Sequence, residues 1–452
     1  MNEPIISVSG LRGIIGDSLT PEITARYVAA FAESLPEGPI VMTRDGRHTG
    51  PMVAAAVQSA LMAAGRACLD AGIAATPTTG VLVRHLGAVG GIQISASHNP
   101  PEYNGLKLLD RTGRVIPAGP GQAVIDRYRT APPTWKTSDQ LGESRTIEDS
   151  VTAHLAMVAA TCNVDRIRQR RFKVLLDANN GSGSVLGVPL LRELGCEITL
   201  LGGEPDGRFG HTPEPTAENL ASVFALVQQS KTDIGFCQDP DADRLAIIDE
   251  SGRYLGEEYT VSLCMDHVLR QTLGPVVTNC STSRMTQDLA EKYGVPFFCS
   301  KVGEANVVDL MQQENAVLGG EGNGGIIDPR VGFIRDSFVG MALVLDAMCA
   351  REMPISALAD ELPSYAIHKT KVELAAEQVP AALDALEKHF AEATSDRLDG
   401  LRLDWPNKKW LLIRASNTEP IVRVVAEAPT LDEAQQLCEA TATVIAPGSA
   451  GG

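Results

Sequence analysis

Short apolar runs alternate along this chain with longer stretches in which Ala and Leu recur at helical spacing, and the alternation restarts three times. In the first round Pro39–Thr43 reads as a strand, Met52–Ala64 as the helix after it, and Ala67–Ala71 and Gly91–Ile94 as further strands. A polar, Pro-containing stretch at 131–144 breaks the pattern. The second round sets a strand at Phe172–Leu176, a turn at Asp177–Gly181, a helix at Val185–Leu194 and strands at Asp233–Gln238 and Leu245–Asp249. The third begins after Gly256, with a helix at Glu258–Leu269 and strands at Pro275–Thr278 and Pro296–Cys299. Strands alternating with helices predict parallel or mixed sheets covered by helices. From Ile367 the order changes to strand, long helix (Gln378–Ala393), strands at Leu401–Asp404, Trp410–Arg414 and Ile421–Ala426, and a helix from Leu431, which predicts a smaller α+β domain. The expected domains are 1–150, 151–254, 255–366 and 367–452, the last closing in a disordered Pro447–Gly452 tail.

Composition narrows the function classes. A formal net charge of −17 disfavours nucleic acid and anionic membranes as partners, so an anionic substrate must be met by locally placed cations or metal. Nine scattered cysteines without a C-x-x-C pair point to reduced thiols. No run of about twenty apolar residues is present, and Met1–Gly10 carries no basic-then-apolar leader pattern. The expectation is a cytoplasmic protein.

Four segments carry candidate chemistry. Gly91–Ile94 runs into Ser95-Ala96-Ser97-His98-Asn99-Pro100-Pro101, where the prolines forbid a continuing helix, so Ser97 is expected on a rigid loop at a strand end, ten residues before Lys107. The alternative is a Ser/Asn/Pro turn without chemistry; a serine-hydrolase elbow lacks its Gly-x-Ser-x-Gly. Asp239-Pro240-Asp241-Ala242-Asp243-Arg244 places carboxylates at i, i+2 and i+4, which an extended segment aims to one side. Hard oxygen donors without His or Cys suit Mg²⁺. An EF-hand reading, with Glu250 at position 12, fails because Arg244 stands where the turn needs Gly. Gly319–Gly325 contains a formal G-x-G-x-x-G, but Ile326-Ile327-Asp328-Pro329 follows instead of a helix, so the match is accidental. What remains is a glycine loop in which Glu321 can accept hydrogen bonds from adjacent sugar hydroxyls, against a plain tight turn. Arg414-Ala415-Ser416-Asn417-Thr418, with Arg423 following, offers two guanidiniums plus hydroxyl and amide donors, a fork suited to phosphate.

Taken in order, these segments resemble the α-D-phosphohexomutase superfamily nearly end to end. Ser9-Gly10-Leu11-Arg12-Gly13 is similar to its N-terminal substrate loop, Ala96–Pro100 with Asn104-Gly105-Leu106-Lys107 to its phosphoserine loop, Asp239–Arg244 to its metal loop, Gly320–Gly325 to its sugar loop, and Arg414–Thr418 with Arg423 to its phosphate loop. The resemblance implies four domains around a central cleft. Ser97 would carry a phosphoryl group, with Mg²⁺ held by Asp239, Asp241, Asp243 and a phosphoserine oxygen. A hexose 1,6-bisphosphate would form in the site as intermediate and activator. Arg12, Arg244 and Lys107 would cancel phosphoryl charge, and Lys107 and His98 are the candidates for proton transfer.

Two departures bear on the sugar. Where the family often has Gly-Glu-Met-Ser-Gly-His, this chain has Gly-Glu-Gly-Asn-Gly-Gly, with Asn323 in place of Ser and no His. Glu304 stands in Ser300-Lys301-Val302-Gly303-Glu304 where some members carry His, so Lys301 and Glu304 join Glu321 and Asn323 as substrate-binding candidates. This form resembles an archaeal-type phosphoglucosamine mutase branch, and extra acidic or amide acceptors suit an amino sugar. The expectation is a phosphohexomutase acting on glucosamine phosphate, as monomer or homodimer, with glucose or mannose phosphate as the alternative. A sugar phosphatase and a non-catalytic sugar-phosphate binding protein are the rivals from other classes.

Overall fold

In the computed structural model of the chain, residues 3–416 and 421–445 are described; the expected Pro447–Gly452 tail lies outside them. Three mixed sheets follow one another, and each contains the same four-strand pattern. The first set is Ile40–Arg44, Cys68–Ile73, Gly90–Ile94 and Tyr103–Asp110; the second is Lys173–Asp177, Glu197–Leu201, Ile234–Gln238 and Leu245–Asp249; the third is Val276–Asn279, Phe297–Ser300, Leu318–Glu321 and Gly325–Ile327. In every set the first strand lies parallel between the second and third, and the third turns back antiparallel into the fourth. The central strands are buried on both faces, which is why they read as continuous apolar runs rather than alternating ones. Gly10–Ile14, Ile5–Ser7 and Ser144–Thr146 extend the first sheet to seven strands.

The second and third units share one core, to which Ala75 and Val81 of the first contribute. Its centre is the helix Ser337–Arg351, whose residues 337–348 are all buried, so it is apolar around its whole circumference. Asp336 caps it by accepting from Phe338 N and Val339 N. The same carboxylate meets His154 Nε2 at 2.7 Å, and His154 Nδ1 lies 2.9 Å from Thr78 Oγ1, so one buried network joins all three units.

The fourth sheet is five-stranded and antiparallel throughout, in the order Ala366–Glu373, Ile421–Ala428, Trp410–Ala415, Leu401–Asp404, Thr394–Asp396, with the helices Val379–His389 and Leu431–Ile445 packed on it. Two elements depart from the sequence reading. The helix expected to run to Ala393 stops at His389, where Phe390 turns in edge-on against Trp405 and the chain enters the unanticipated strand Thr394–Asp396. Tyr103–Asp110 is a strand that the hydrophobic pattern hides, because Asn104 and Lys107 interrupt it with buried polar side chains.

Candidate functional site

All three functional hairpin tips occupy one topological position, the turn between the third and fourth strands of a set. In the first set that turn carries Ser97. Its φ is +49°, a left-handed backbone uncommon for a residue with a Cβ. Ser97 N donates to Ser95 Oγ at 2.8 Å, and Ser97 Oγ, fully buried, donates to Asp239 Oδ2 at 2.8 Å across the gap between two sheets. His98 Nδ1 is 3.4 Å from the same hydroxyl.

In the second set the turn carries the three aspartates, all fully buried, with a donor oxygen from each inside a 4.8 Å cluster. The segment is not extended as the spacing suggested. Ala242 takes φ +54° and its N–H returns to Asp239 O, while Asp239 Oδ1 accepts from Asp243 N at 3.1 Å and Arg244 N at 3.2 Å. The carboxylates converge through this tight turn rather than through strand alternation. Cations and a hydroxyl anchor one oxygen of each of the other two. Asp241 Oδ2 accepts from Thr76 Oγ1 and Lys107 Nζ, and Asp243 Oδ2 from Lys107 Nζ and Arg335 Nη2, both at 2.7 Å. Asp241 Oδ1 and Asp243 Oδ1 are buried and accept nothing. Two orphaned hard oxygens beside Asp239 Oδ2 and a serine hydroxyl are what a small divalent cation with oxygen ligands requires.

Cations surround the cluster. Burial disfavours the Lys107 ammonium, but Asp241 and Asp243 outweigh it and hold the group above its ordinary value. Asp243 is likewise buried, and Arg335, Lys107 and Arg244 press it below the usual carboxylate range. Asp239 goes the other way, raised by burial and by the other two aspartates. His98 is driven down to about 2 by burial and by Arg244 and Arg12, so its imidazole is neutral. Arg12 reaches Asn99 Oδ1 at 2.9 Å, and Arg244 Nε lies 3.8 Å from Asp243 Oδ1.

In the third set the expected glycine loop is mostly strand. Gly319, Gly320 and Glu321 end one strand, Gly325 opens the next, and Gly322-Asn323-Gly324 is the turn between them. A Cβ at Gly319 would strike Met311 Sδ and Val277 O, and one at Gly324 would strike the backbone of Leu245, whose N–H donates to Gly324 O at 3.0 Å. These glycines therefore serve close packing against the aspartate turn. Glu321 and Glu304 are brought together by Arg335, which sequence reasoning missed. Arg335 Nη1 meets Glu321 Oε2 at 2.7 Å, and Glu304 takes Arg335 N at 2.8 Å and Nε at 3.4 Å. Glu321 Oε1 also accepts from Asn279 Nδ2 and Gly303 N. Glu304 is thus turned onto a guanidinium rather than offered as a spare acceptor. Asn323 Oδ1 accepts from Gly325 N at 3.3 Å, and Lys301 is exposed.

The fourth sheet brings Arg414 and Arg423 directly opposite each other on neighbouring strands, and Lys371 directly opposite Arg423 on the far side. Lys371, also missed, makes this a rank of three cations. Arg414 Nε lies 3.2 Å from Asp399 Oδ2, which also accepts from Val302 N beside Lys301. Ser416 N donates to Ile421 O at 2.9 Å; Asn417 and Thr418 lie outside the described residues. Register could have exposed Lys371, since it needs only the pairing of two strands, whereas Arg335 had one faint cue, its place beside the helix-capping Asp336.

Comparison with known proteins agrees with this layout. Residues 5–133, 152–252 and 257–365 match phosphoglucomutase/phosphomannomutase alpha/beta/alpha domains I, II and III, and 370–444 match the C-terminal domain of the same family. A phosphoglucomutase/phosphomannomutase of Thermococcus kodakarensis is 35% identical over 441 residues, 95% of this chain and 96% of that one. A probable phosphoglucosamine mutase of Methanopyrus kandleri is 33% identical over 433 residues, 95% of each. The crystal structure of a putative phosphomannomutase from Thermus thermophilus superposes with a TM-score of 0.85 at 24% identity, covering 99% of this chain and 100% of that one.

Proposed function

The chain belongs to the phosphoglucomutase/phosphomannomutase family, and from that premise we propose that it interconverts hexose 6-phosphate and hexose 1-phosphate with Ser97 as phosphoryl carrier. The observation that carries the reading is the buried Ser97 hydroxyl, 2.8 Å from Asp239 at the edge of an aspartate cluster that keeps two oxygens unpartnered. Mg²⁺ fits that donor set, with Asp239, Asp241, Asp243 and an oxygen on Ser97 as its ligands, and when bound it supplies cancellation of phosphoryl charge.

The remaining work falls to the chain. Ser97 passes its phosphoryl group to a hydroxyl of the sugar phosphate, giving a hexose 1,6-bisphosphate that turns over in the cleft and returns its other phosphate to Ser97. Lys107 stays protonated and faces the transferring group as fixed positive charge, with Arg12 and Arg244 beside it. His98, kept neutral and too weak a base to hold the proton expected of it, can accept a hydrogen bond from the attacking hydroxyl and orient it, and the proton of that hydroxyl ends on the departing Ser97 oxygen. The rank of Arg414, Arg423 and Lys371 suits the phosphate that is not reacting, whichever end of the sugar carries it. The four sheets together enclose the reaction, which matters because water reaching the phosphoserine would hydrolyse it.

For the sugar, glucosamine phosphate is supported by the Gly-Asn-Gly-Gly turn and by the Methanopyrus relative, while Glu304, committed to Arg335, adds nothing to that reading. The Thermococcus relative, named for glucose and mannose phosphates, supports the second reading. The test is kcat/KM for the 6-phosphates of glucosamine, glucose and mannose, with intact mass of the protein after exposure to hexose 1,6-bisphosphate. A preference of about tenfold or more for glucose or mannose overturns glucosamine. Wild-type protein that never gains one phosphoryl group, or a Ser97→Ala variant that gains it equally, overturns the mutase reading.

A further inference from the structure

The mechanism above uses Ser97 but leaves unexplained what holds it in a left-handed backbone. The neighbouring side chain with most to say is Arg47, which is 1% exposed. Both terminal nitrogens of its guanidinium are spent on the serine loop. Nη2 donates to Ser97 O at 2.7 Å and Asn99 O at 2.6 Å, and Nη1 to Pro100 O at 2.7 Å and Tyr103 O at 2.9 Å. Four carbonyls that converge on one planar fork fix the path of the chain from Ser97 to Tyr103.

The fork is itself held from two sides. Asp45 Oδ2 pairs with Arg47 Nε at 3.2 Å and accepts from Ser95 Oγ at 2.7 Å, and Ser95 Oγ in turn receives Ser97 N at 2.8 Å. Ser97 is therefore gripped at its carbonyl by Arg47 and at its amide by Ser95, both tied to one buried carboxylate. From the second unit, the Phe209 ring lies 5.1 Å from the guanidinium carbon. Gly207 meets the Arg47 backbone so closely that a Cβ would sit 2.6 Å from its Cα, and a Cβ on Gly46 would lie 2.4 Å from Asn180 O. The strut is clamped by the unit that supplies the aspartates.

We propose that Arg47, with Asp45 and Ser95, is a positioning residue that holds Ser97 in its strained backbone and so aims Oγ at Asp239, and that the 205–209 segment seats this strut against the second sheet. The proposal rests on Ser97 being the phosphoryl carrier. Arg47 meets Ser97 only at its backbone carbonyl and touches none of the three aspartates, so its removal should act on the chemical step and spare substrate affinity.

The experiment compares wild type, Arg47→Lys and Ser95→Ala. Lysine keeps the charge and loses the fork, and a misplacement on the scale of 1 Å costs about 100-fold in rate. Arg47→Lys is expected to lower kcat about 100-fold with KM within about threefold. Ser95→Ala, which frees the Ser97 amide and removes one hydrogen bond from Asp45 with little change of volume, is expected to lower kcat about tenfold with KM unmoved. Both should still gain one phosphoryl group from hexose 1,6-bisphosphate, more slowly. If the lysine variant fails to fold, the Ser95→Ala split decides alone. A kcat within twofold of wild type in the folded variants, or a loss confined to KM, overturns the strut. Wild type that takes up no phosphate overturns the carrier reading instead, and the two failures are told apart by that one control.

Discussion

Changing Lys371 to glutamine should move stability and substrate affinity in opposite directions. Lys371, Arg423 and Arg414 stand in consecutive register on three strands, so like charges face each other twice with nothing anionic between Lys371 and Arg423. Directly opposite like charges destabilise a sheet by roughly 0.2–1 kcal/mol. Coulomb's law agrees: for two long side chains splayed to about 7 Å, 332/(80 × 7) is about 0.6 kcal/mol in water. Arg414 is relieved by Asp399, but Lys371 and Arg423 are both exposed, and among the described residues neither has a carboxylate paired with it. Lys371→Gln should therefore raise the thermal midpoint of the ligand-free protein by about half a degree, the effect of about 0.5 kcal/mol on a chain this long. With sugar phosphate present the sign reverses. A charge-assisted bond to phosphate is worth roughly 1.5–3 kcal/mol, so KM for hexose 6-phosphate should rise about tenfold or more, with kcat nearly unchanged. Thermal scans with and without substrate, and initial rates at two salt concentrations, measure both. A variant whose midpoint falls without ligand, or whose KM stays within twofold, would refute the assignment of the rank to phosphate.

Three further outcomes are expected. Arg335→Met leaves Glu304 and Glu321 buried without their paired cation and Asp243 with Lys107 and the more distant Arg244, so the urea midpoint should drop by the equivalent of about 3–5 kcal/mol, and adding Glu304→Gln should recover part of it; an unchanged midpoint would contradict the pairing. His211 faces Asp177 Oδ2 and Thr212 O, both at 2.8 Å and both acceptors, which only an imidazolium satisfies; burial lowers its pKa but these partners outweigh it and raise it. Its contribution is thus complete below about pH 6.5 and lost as pH rises through the raised folded value, so the thermal midpoint of wild type should exceed that of His211→Asn at pH 6 and converge with it at pH 9. Chelation of divalent metal should reduce turnover about a thousandfold, with recovery on adding Mg²⁺; full activity in chelator would remove the metal from the reading.

The sequence made the loops legible and left their internal geometry obscure, for a physical reason. Turn chemistry is local, so Asn99-Pro100-Pro101 and Asp239–Arg244 announce where strands end. How carboxylates converge depends on φ at Ala242, a left-handed residue that nothing in an alanine signals. The glycines at 319–324 read as a ligand cradle because their true partners, Met311, Val277 and Leu245, are set by packing. Arg47, Arg335 and Lys371 look like ordinary charges in one dimension. Their importance lies in partners roughly fifty, fourteen or ninety residues away, or across a sheet, and only the fold supplies those. Among the described residues no helix is long and apolar enough to cross a membrane.

Lys107, Asp241 and Asp243, then Arg335 with Glu304 and Glu321, form one buried line of alternating charge running through three sheets in the order they are synthesised. A nascent chain that has completed only the first two holds Asp243 without Arg335, and a fragment from which the first is removed holds Asp241 without Lys107. Either state keeps a carboxylate short of a partner where water is scarce. The proposed site is therefore also an inspection point for assembly. Partial chains are expected to be short of ion-pair partners at the site proposed for catalysis, so a recombined protein should inherit all three hairpins together.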